Sequence, residues 1–310
     1  MARMIQLILL AAAAGFCGSA QQIPIRGNSF RVEPHTTIRL DANLVLVPVT
    51  VTDSRGRVMP NLVQTDFTLL EEKRPQDILS FSRENAPVSL GIVVDLSGSM
   101  ASKIRAAHTA VNEFLKNLEP EDEEFLVTFA DRPELRLPFT SDPSEIYAAL
   151  AGAAPQGSTA LFDAVALAIR QMRGAQNQRK VLFLVSDGGD NHSRLTGQEL
   201  RRLVDEEEVQ IHAIGIHERG ASTDKVEARG PWVLEDLAKM TGGQYYMVRD
   251  AGQLPELAAK MSLALHDRYL IGYRPAPPGP SGLFQRIEVK VAQPKGSRLS
   301  VYARRGYRMP

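Results

Sequence analysis

The sequence predicts a doubly wound α/β domain, a mostly parallel sheet with helices on both faces, together with an all-β, sandwich-like domain built from the two ends of the chain. Three observations carry this prediction. Residues 87–268 alternate apolar runs with stretches of helical periodicity, the pattern of buried strands joined by crossover helices. Residues 38–86 and 269–310 contain only short β-type runs punctuated by turn residues. Neither flank is long enough for a core of its own, but together they offer roughly six strands, enough for one sandwich. Two small separate β-modules are the alternative.

Residues 44–52, Leu-Val-Leu-Val-Pro-Val-Thr-Val-Thr, read as a strand, in which Pro48 marks an edge position or a bulge. A turn at 53–57 and short strands at 67–71 and 78–81 follow. Leu90-Gly91-Ile92-Val93-Val94 is continuously apolar, as a strand covered on both faces should be. Over residues 103–118, Ile104, Ala107, Val111, Phe114, Leu115 and Leu118 recur at helical spacing. Strands are expected at 124–130 and 135–139. Asp142-Pro143-Ser144-Glu145 then opens a helix with an acceptor at the cap, Pro at the first helical position and Glu behind it. A helix at 160–172, a strand at 181–185, a helix at 198–207 and a strand at 209–216 continue the alternation. A helix at 232–240, a strand at 244–248 and a helix at 254–266 complete it. The closing flank gives strands at 269–273, 286–291 and 299–303, separated by the proline-rich 275–280 and by Pro294-Lys295-Gly296.

The chemistry concentrates at the carboxyl ends of the apolar strands, where open α/β sheets place their ligands. Asp95-Leu96-Ser97-Gly98-Ser99 supplies one carboxylate and two hydroxyls at alternate positions, so a tight turn can aim all three at one point. Oxygen-only donors suit Mg²⁺, Mn²⁺ or Ca²⁺ rather than zinc. Taken alone, such residues more often cap a helix or make a turn. Two further segments point to a site: Gly157-Ser158-Thr159 opens a helix with hydroxyls, and Val185-Ser186-Asp187-Gly188 repeats the design of apolar strand followed by acid. If these strands are parallel neighbours, Asp95, Ser97, Ser99, Thr159 and Asp187 converge.

At these positions the chain resembles the von Willebrand factor type A domain, whose metal-ion-dependent adhesion site is an Asp-x-Ser-x-Ser triplet, a distant Thr and a distant Asp in this order. The resemblance covers roughly residues 87–268 and matches all five positions. It implies that Ser97, Ser99 and Thr159 bind the metal directly while Asp95 and Asp187 act through water. Hydroxyl-rich ligation leaves the ion under-neutralised and open to an incoming oxygen, so the implied partner is a protein offering an Asp or Glu carboxylate. The resemblance also implies that the helix at 254–266 can slide when coordination changes. The flanks resemble those of a bacterial family of secreted type A proteins, through Tyr269 to Pro275 (Tyr-x-x-Gly-Tyr-x-Pro) and Arg304 to Tyr307 (Arg-x-Gly-Tyr).

Two enzyme classes compete for the same residues. A Mg²⁺-dependent phosphohydrolase of the haloacid dehalogenase type also places Asp at a strand end, but its leaving group needs a second acid where this chain has Ser97. No Gly-x-Ser-x-Gly surrounds Ser97 or Ser99, and no His is tied to either by spacing. His212 and His217 read as core or surface residues, and His192 as a loop residue near the rim of the cavity. The expectation is a binding protein, not an enzyme, with a structural module whose ion only stiffens loops as the alternative.

With 310 residues, 44% of them apolar, and 36 basic against 36 acidic side chains, the composition is that of an ordinary globular protein and gives no support for nucleic-acid binding. Residues 201–208 read as a solvated helix face, and 218–230 as a charged surface loop. Residues 1–20 have the short apolar stretch and small-residue end of a signal peptide, too short to span a membrane comfortably, and 21–37 read as a linker. The protein is therefore expected to be exported, to a periplasm, the cell surface or the medium, with no transmembrane segment in the mature chain. Cys17, the sole cysteine, would leave with the signal peptide; a lipoprotein anchored on it is disfavoured by bulky Phe16 just before it.

Overall fold

The computed structural model describes residues 44–217, 225–275, 282–293 and 298–309. The expected signal peptide, the linker and most of the proline-rich segment lie outside them. Among the described residues fourteen strands and six α-helices follow one another, the first flank giving β1 (Val45–Thr52), β2 (Phe67–Glu71), β3 (Arg74–Gln76) and β4 (Ile78–Glu84). The central segment gives β5 (Val88–Asp95), α1 (Ile104–Leu115), β6 (Glu123–Phe129), β7 (Pro133–Thr140), α2 (Pro143–Ala151), α3 (Leu161–Gln171) and β8 (Arg179–Ser186). It continues with α4 (Gly197–Glu206), β9 (Val209–Ile216), α5 (Lys225–Thr241), β10 (Tyr245–Val248) and α6 (Leu254–His266). The last flank gives β11 (Arg268–Tyr273), β12 (Phe284–Val291), β13 (Ser300–Ala303) and β14 (Gly306–Arg308).

The central sheet has six strands in the order β10-β9-β8-β5-β6-β7, all parallel except the antiparallel edge strand β7. Alternate residues of each strand feed opposite faces. Leu90, Ile92 and Val94 of β5 pack with Val111, Phe114, Met261 and Leu265 from α1 and α6. Val93 on the other face packs with Leu161, Val165, Leu200 and Leu234 from α3, α4 and α5. Phe114 stacks on Phe183 with ring centroids 3.9 Å apart, closing α1 onto the sheet centre. Gly91 has no side chain because Phe125 and Leu182 fill the space that a Cβ would need.

The caps follow from the sequence. Asp142 accepts a hydrogen bond from Ser144 N at 2.9 Å to start α2, and Thr196 with Glu199 forms a reciprocal capping box at the start of α4. Two expectations need correction. Helix α5 begins at Lys225 rather than at residue 232 and runs through Pro231, so part of the expected surface loop at 218–230 is helical, with 218–224 outside the described residues. Proline removes one backbone donor from a helix but does not forbid it when packing holds both sides, and Gly230, Leu234, Leu237 and Ala238 are all buried. Strands β3 and β14 were not expected, since three residues carry too little periodicity to register.

The flank strands form two four-stranded antiparallel sheets, β13-β1-β11-β4 and β14-β12-β2-β3. Val47, Val49 and Val51 of β1 share one core with Phe67, Leu69, Tyr269, Ile271, Tyr273 and Ile287. Strand β1 is central, yet Pro48 lies where it pairs with β11 alone, because β13 joins only from Val49 onward. The missing donor therefore costs no ladder bond on the open side.

Three tyrosines of the last flank reach into the first. Tyr269 donates to Met59 O at 2.5 Å and accepts from Leu62 N at 2.9 Å. Tyr273 and Tyr307 both donate to Glu71 Oε1 at 2.8 Å. Burial, and then the hydrogen bond to the carboxylate, raises both phenols, Tyr307 to about 12 and Tyr273 further. The chain enters the central sheet from β4 and leaves through β11, and these strands pair directly, Glu84 opposite Arg268. Arg308 and Arg305 then bind Asp205 of α4 and Asp236 of α5 at 3.3 and 2.9 Å.

Candidate metal centre

The parallel order places a switch point between β5 and β8. From β5 the chain turns towards β6, and from β8 it turns the other way towards β9, so the loops after these adjacent strands part and leave a crevice at their carboxyl ends. Asp95 ends β5, and Asp187 directly follows β8.

A third loop closes the crevice. Gly98 N donates to Gly157 O at 3.0 Å and Gln156 N to Leu96 O at 2.8 Å, tying the Ser97 turn to the segment that carries Thr159. Thr159 N donates to Asn191 Oδ1 at 2.8 Å, while Thr159 O accepts from Asn191 N and His192 N, both at 3.0 Å. All five predicted residues thus sit on three mutually hydrogen-bonded loops at one end of the sheet.

Within the first loop, Ser97 Oγ and Ser99 Oγ are 3.1 Å apart. Asp95 is fully buried: Oδ1 accepts from Ser97 N at 2.8 Å, and Oδ2 from Ser186 Oγ at 2.6 Å. Ser186 Oγ in turn accepts from Gly188 N at 2.8 Å. Burial, and then the charge of Asp187, pushes the Asp95 carboxyl up to about 6, against the opposing hydrogen bonds from Ser186 and Ser97. Asp187 is also buried, and its Oδ2 lies 2.9 Å from Lys103 Nζ.

This donor set fits a hard divalent cation. Adjacent vertices of an Mg²⁺ octahedron with bonds of about 2.1 Å lie about 3 Å apart, the spacing of the two serine hydroxyls. Burial and the charge of Asp187 raise the proton affinity of the Asp95 carboxyl, and a cation nearby would offset both. Among the described residues, no three His, Cys, Asp or Glu side chains are grouped to hold a metal, so binding here would depend on hydroxyls.

Several residues that support the crevice were not anticipated. Ser186 orients Asp95, and Asn191 fixes Thr159. Asp190 caps α3: it accepts from Phe162 N at 3.2 Å and Ser193 Oγ at 2.5 Å. Asp131 accepts from Ser158 N at 2.7 Å and steadies the same loop. Only Lys103 carried a signal of its own, a cation at a helix start, where the dipole disfavours it. His192 is an exposed loop residue held through its backbone. His212 is a buried core residue whose Nδ1 accepts from Gln244 N, and burial drives it down to about 3.

Comparison with known proteins agrees with this architecture. The von Willebrand factor type A domain model matches residues 90–189. A UPF0353 protein of Mycolicibacterium paratuberculosis is 28% identical over 235 residues, covering 67% of this chain and 68% of that protein. A solved von Willebrand factor type A protein from Catenulispora acidiphila has a TM-score of 0.51 at 15% identity, covering 86% of this chain and 75% of that one. Proximal thread matrix protein 1 of the mussel byssus, solved with a zinc-occupied MIDAS motif, gives a TM-score of 0.47 at 19% identity, over 64% of this chain and 50% of that one. The von Willebrand factor type A domain match over residues 90–189 falls on the stretch that carries β5, β8 and the crevice between their carboxyl ends.

Proposed function

We propose that this protein captures an Asp or Glu side chain of a partner protein through a divalent cation, Mg²⁺ in the first place, held by Ser97, Ser99 and Thr159 with Asp95 and Asp187 behind them. The observation that carries the reading is the 3.1 Å spacing of the Ser97 and Ser99 hydroxyls, suited to two neighbouring positions on one ion. When bound, the ion would supply a Lewis-acidic coordination position for the incoming oxygen. The chain's own residues do the rest: Ser186 and Ser97 N aim Asp95, and Asn191 anchors the Thr159 loop.

A purely structural ion is the weaker reading, because direct hydrogen bonds already tie the three loops together. An enzymatic role lacks a partner for the acid, since the second position after Asp95 is a serine. In this reading residues 87–268 form the binding unit and residues 38–86 with 269–310 the sandwich that carries it. Among the described residues no helix is long and apolar enough to cross a membrane, and the first 20 residues support export.

The test is a pull-down from envelope and secreted fractions with Mg²⁺ and again with chelator, using the wild type and Ser97→Ala. A partner retained only by the wild type with Mg²⁺ supports the proposal. Retention that ignores both chelator and substitution refutes it, as does chelation that lowers stability without altering any association.

A further inference from the structure

We infer that Lys103 is a built-in counter-cation of the metal centre, keeping the loaded site positively charged and so attractive to a carboxylate; this rests on the reading above. Its ammonium lies 2.9 Å from Asp187 Oδ2, with the two side chains only 12% and 3% exposed. The backbone holds it there: Lys103 N donates to Met100 O at 2.9 Å, and Lys103 O accepts from Ala107 N at 3.0 Å in the first turn of α1.

This is an expensive place for a lysine. The positive end of the α1 dipole opposes a cation at that turn, and a nearly buried ammonium loses most of its hydration. An ordinary surface ion pair has neither cost. The offsetting attraction comes from Asp187.

The charge balance shows what the lysine does. Serine and threonine hydroxyls are neutral, so the formal charges of Asp95 and Asp187 balance a divalent ion, and the hydroxyl-rich ligation leaves only its local field to attract a partner's carboxylate. With Lys103 present, the loaded centre keeps one net positive charge. The same ammonium repels the incoming ion and shares its acid, so it weakens metal binding while strengthening ligand binding. These two effects have opposite signs, whereas a substitution that merely loosened the fold would weaken both.

Mn²⁺ is the probe for both. Free Mn²⁺ is titrated by electron paramagnetic resonance, and acetate is then added to the Mn²⁺-loaded protein while water-proton relaxation reports displacement of metal-bound water. In Lys103→Met the Mn²⁺ dissociation constant should fall about tenfold or more, and the acetate needed for displacement should rise by a comparable factor. Lys103→Arg should stay near the wild type. Unchanged or weaker Mn²⁺ binding in Lys103→Met overturns the inference, as does tighter acetate binding. Should that variant not fold, Lys103→Gln carries the same measurement. A wild type that binds no Mn²⁺ is a different outcome and removes the metal reading itself.

Discussion

Tyr273→Phe removes the hydroxyl that joins the last flank to Glu71 of the first. The side chain is completely buried and its ring stays in the sandwich core after the substitution, so packing is conserved and only the hydroxyl is lost. That hydroxyl donates to Glu71 Oε1 at 2.8 Å, and Glu71 is itself 5% exposed. A hydrogen bond to a charged group contributes about 1.5–3 kcal/mol, so a loss near 2 kcal/mol is expected, or roughly 4–8 °C in the unfolding midpoint of a domain this size. Tyr307→Phe removes the other donor to the same oxygen. Because both act on one atom, the double variant should depart from additivity by at least about 0.5 kcal/mol. Urea unfolding with linear extrapolation reads all three. A cost under about 0.5 kcal/mol for Tyr273→Phe, or strict additivity, would show that this buried carboxylate does not join the flanks.

Saturating Mg²⁺ should raise the midpoint, by about 2.7 kcal/mol of stability at a hundredfold excess over its dissociation constant, and Ser97→Ala should abolish the rise in a thermal scan. Gly188→Ala should cost more than the roughly 1–2 kcal/mol of its left-handed backbone, because φ is +83° and a Cβ would overlap Gly230; calorimetry that finds it neutral contradicts the packing of α5 on the Asp187 loop. Glu124, buried and further crowded by Asp122, Asp142, Glu123 and Glu145, is pushed up to about 7. The folded state therefore holds its proton over a range where the unfolded chain has released it, and stability falls as pH rises from about 4.5 to 7. Glu124→Gln should stabilise by up to about 3 kcal/mol at pH 8 and by little at pH 4, a difference that denaturation at the two pH values reads directly. Ser262→Ala should lower hydrogen-exchange protection of α6 by cutting its bond to Phe114 O, 2.6 Å long, and unchanged protection would show that α6 is held by packing alone.

What the sequence discloses depends on how locally each feature is encoded. The run from Leu90 to Val94 and the stripe Leu254, Leu257, Ala258, Met261 and Leu265 are complete statements about burial, and β5 and α6 lie where those patterns put them. The Asp-x-Ser-x-Ser triplet is equally local: Asp95 Oδ1 accepts from Ser97 N, and the Ser97 and Ser99 hydroxyls lie 3.1 Å apart. Thr159 is another matter. Nothing near it in the chain says that Asn191 will hold it, because that bond exists only once β5 and β8 are neighbours. The same holds for Ser186, which looks like the end of a strand until Asp95 stands opposite. The start of α5 escapes a local reading for a different reason: Pro231, a helix breaker by itself, is outweighed by the buried residues on either side of it, a tertiary effect. Strands β3 and β14 owe their existence to partners β2 and β12, not to their own three residues.

The anchoring of α6 bears on how far an event at the metal centre can travel. The helix ends in His266, bonded to Asp122 at 2.9 Å, and Asp122 also accepts from Val88 N at 2.7 Å and Glu119 N at 2.8 Å. Burial alone would raise Asp122; those three bonds win and hold it below the usual carboxylate range. Arg179 donates to Leu265 O at the same end, and β11 begins two residues past His266, paired on both sides. A slide of α6 would thus break Ser262 from Phe114, His266 from Asp122 and Arg179 from Leu265, and would shift β11 against both β1 and β4. Each net hydrogen bond costs about 1 kcal/mol or more, and a one-residue slip of β11 would turn Tyr269, Ile271 and Tyr273 out of the sandwich core. The differential affinity of one coordinated carboxylate must exceed that total to move the helix. A site that changes its ligand without moving α6 needs no such excess, and the bonds at the base of the sheet favour that behaviour.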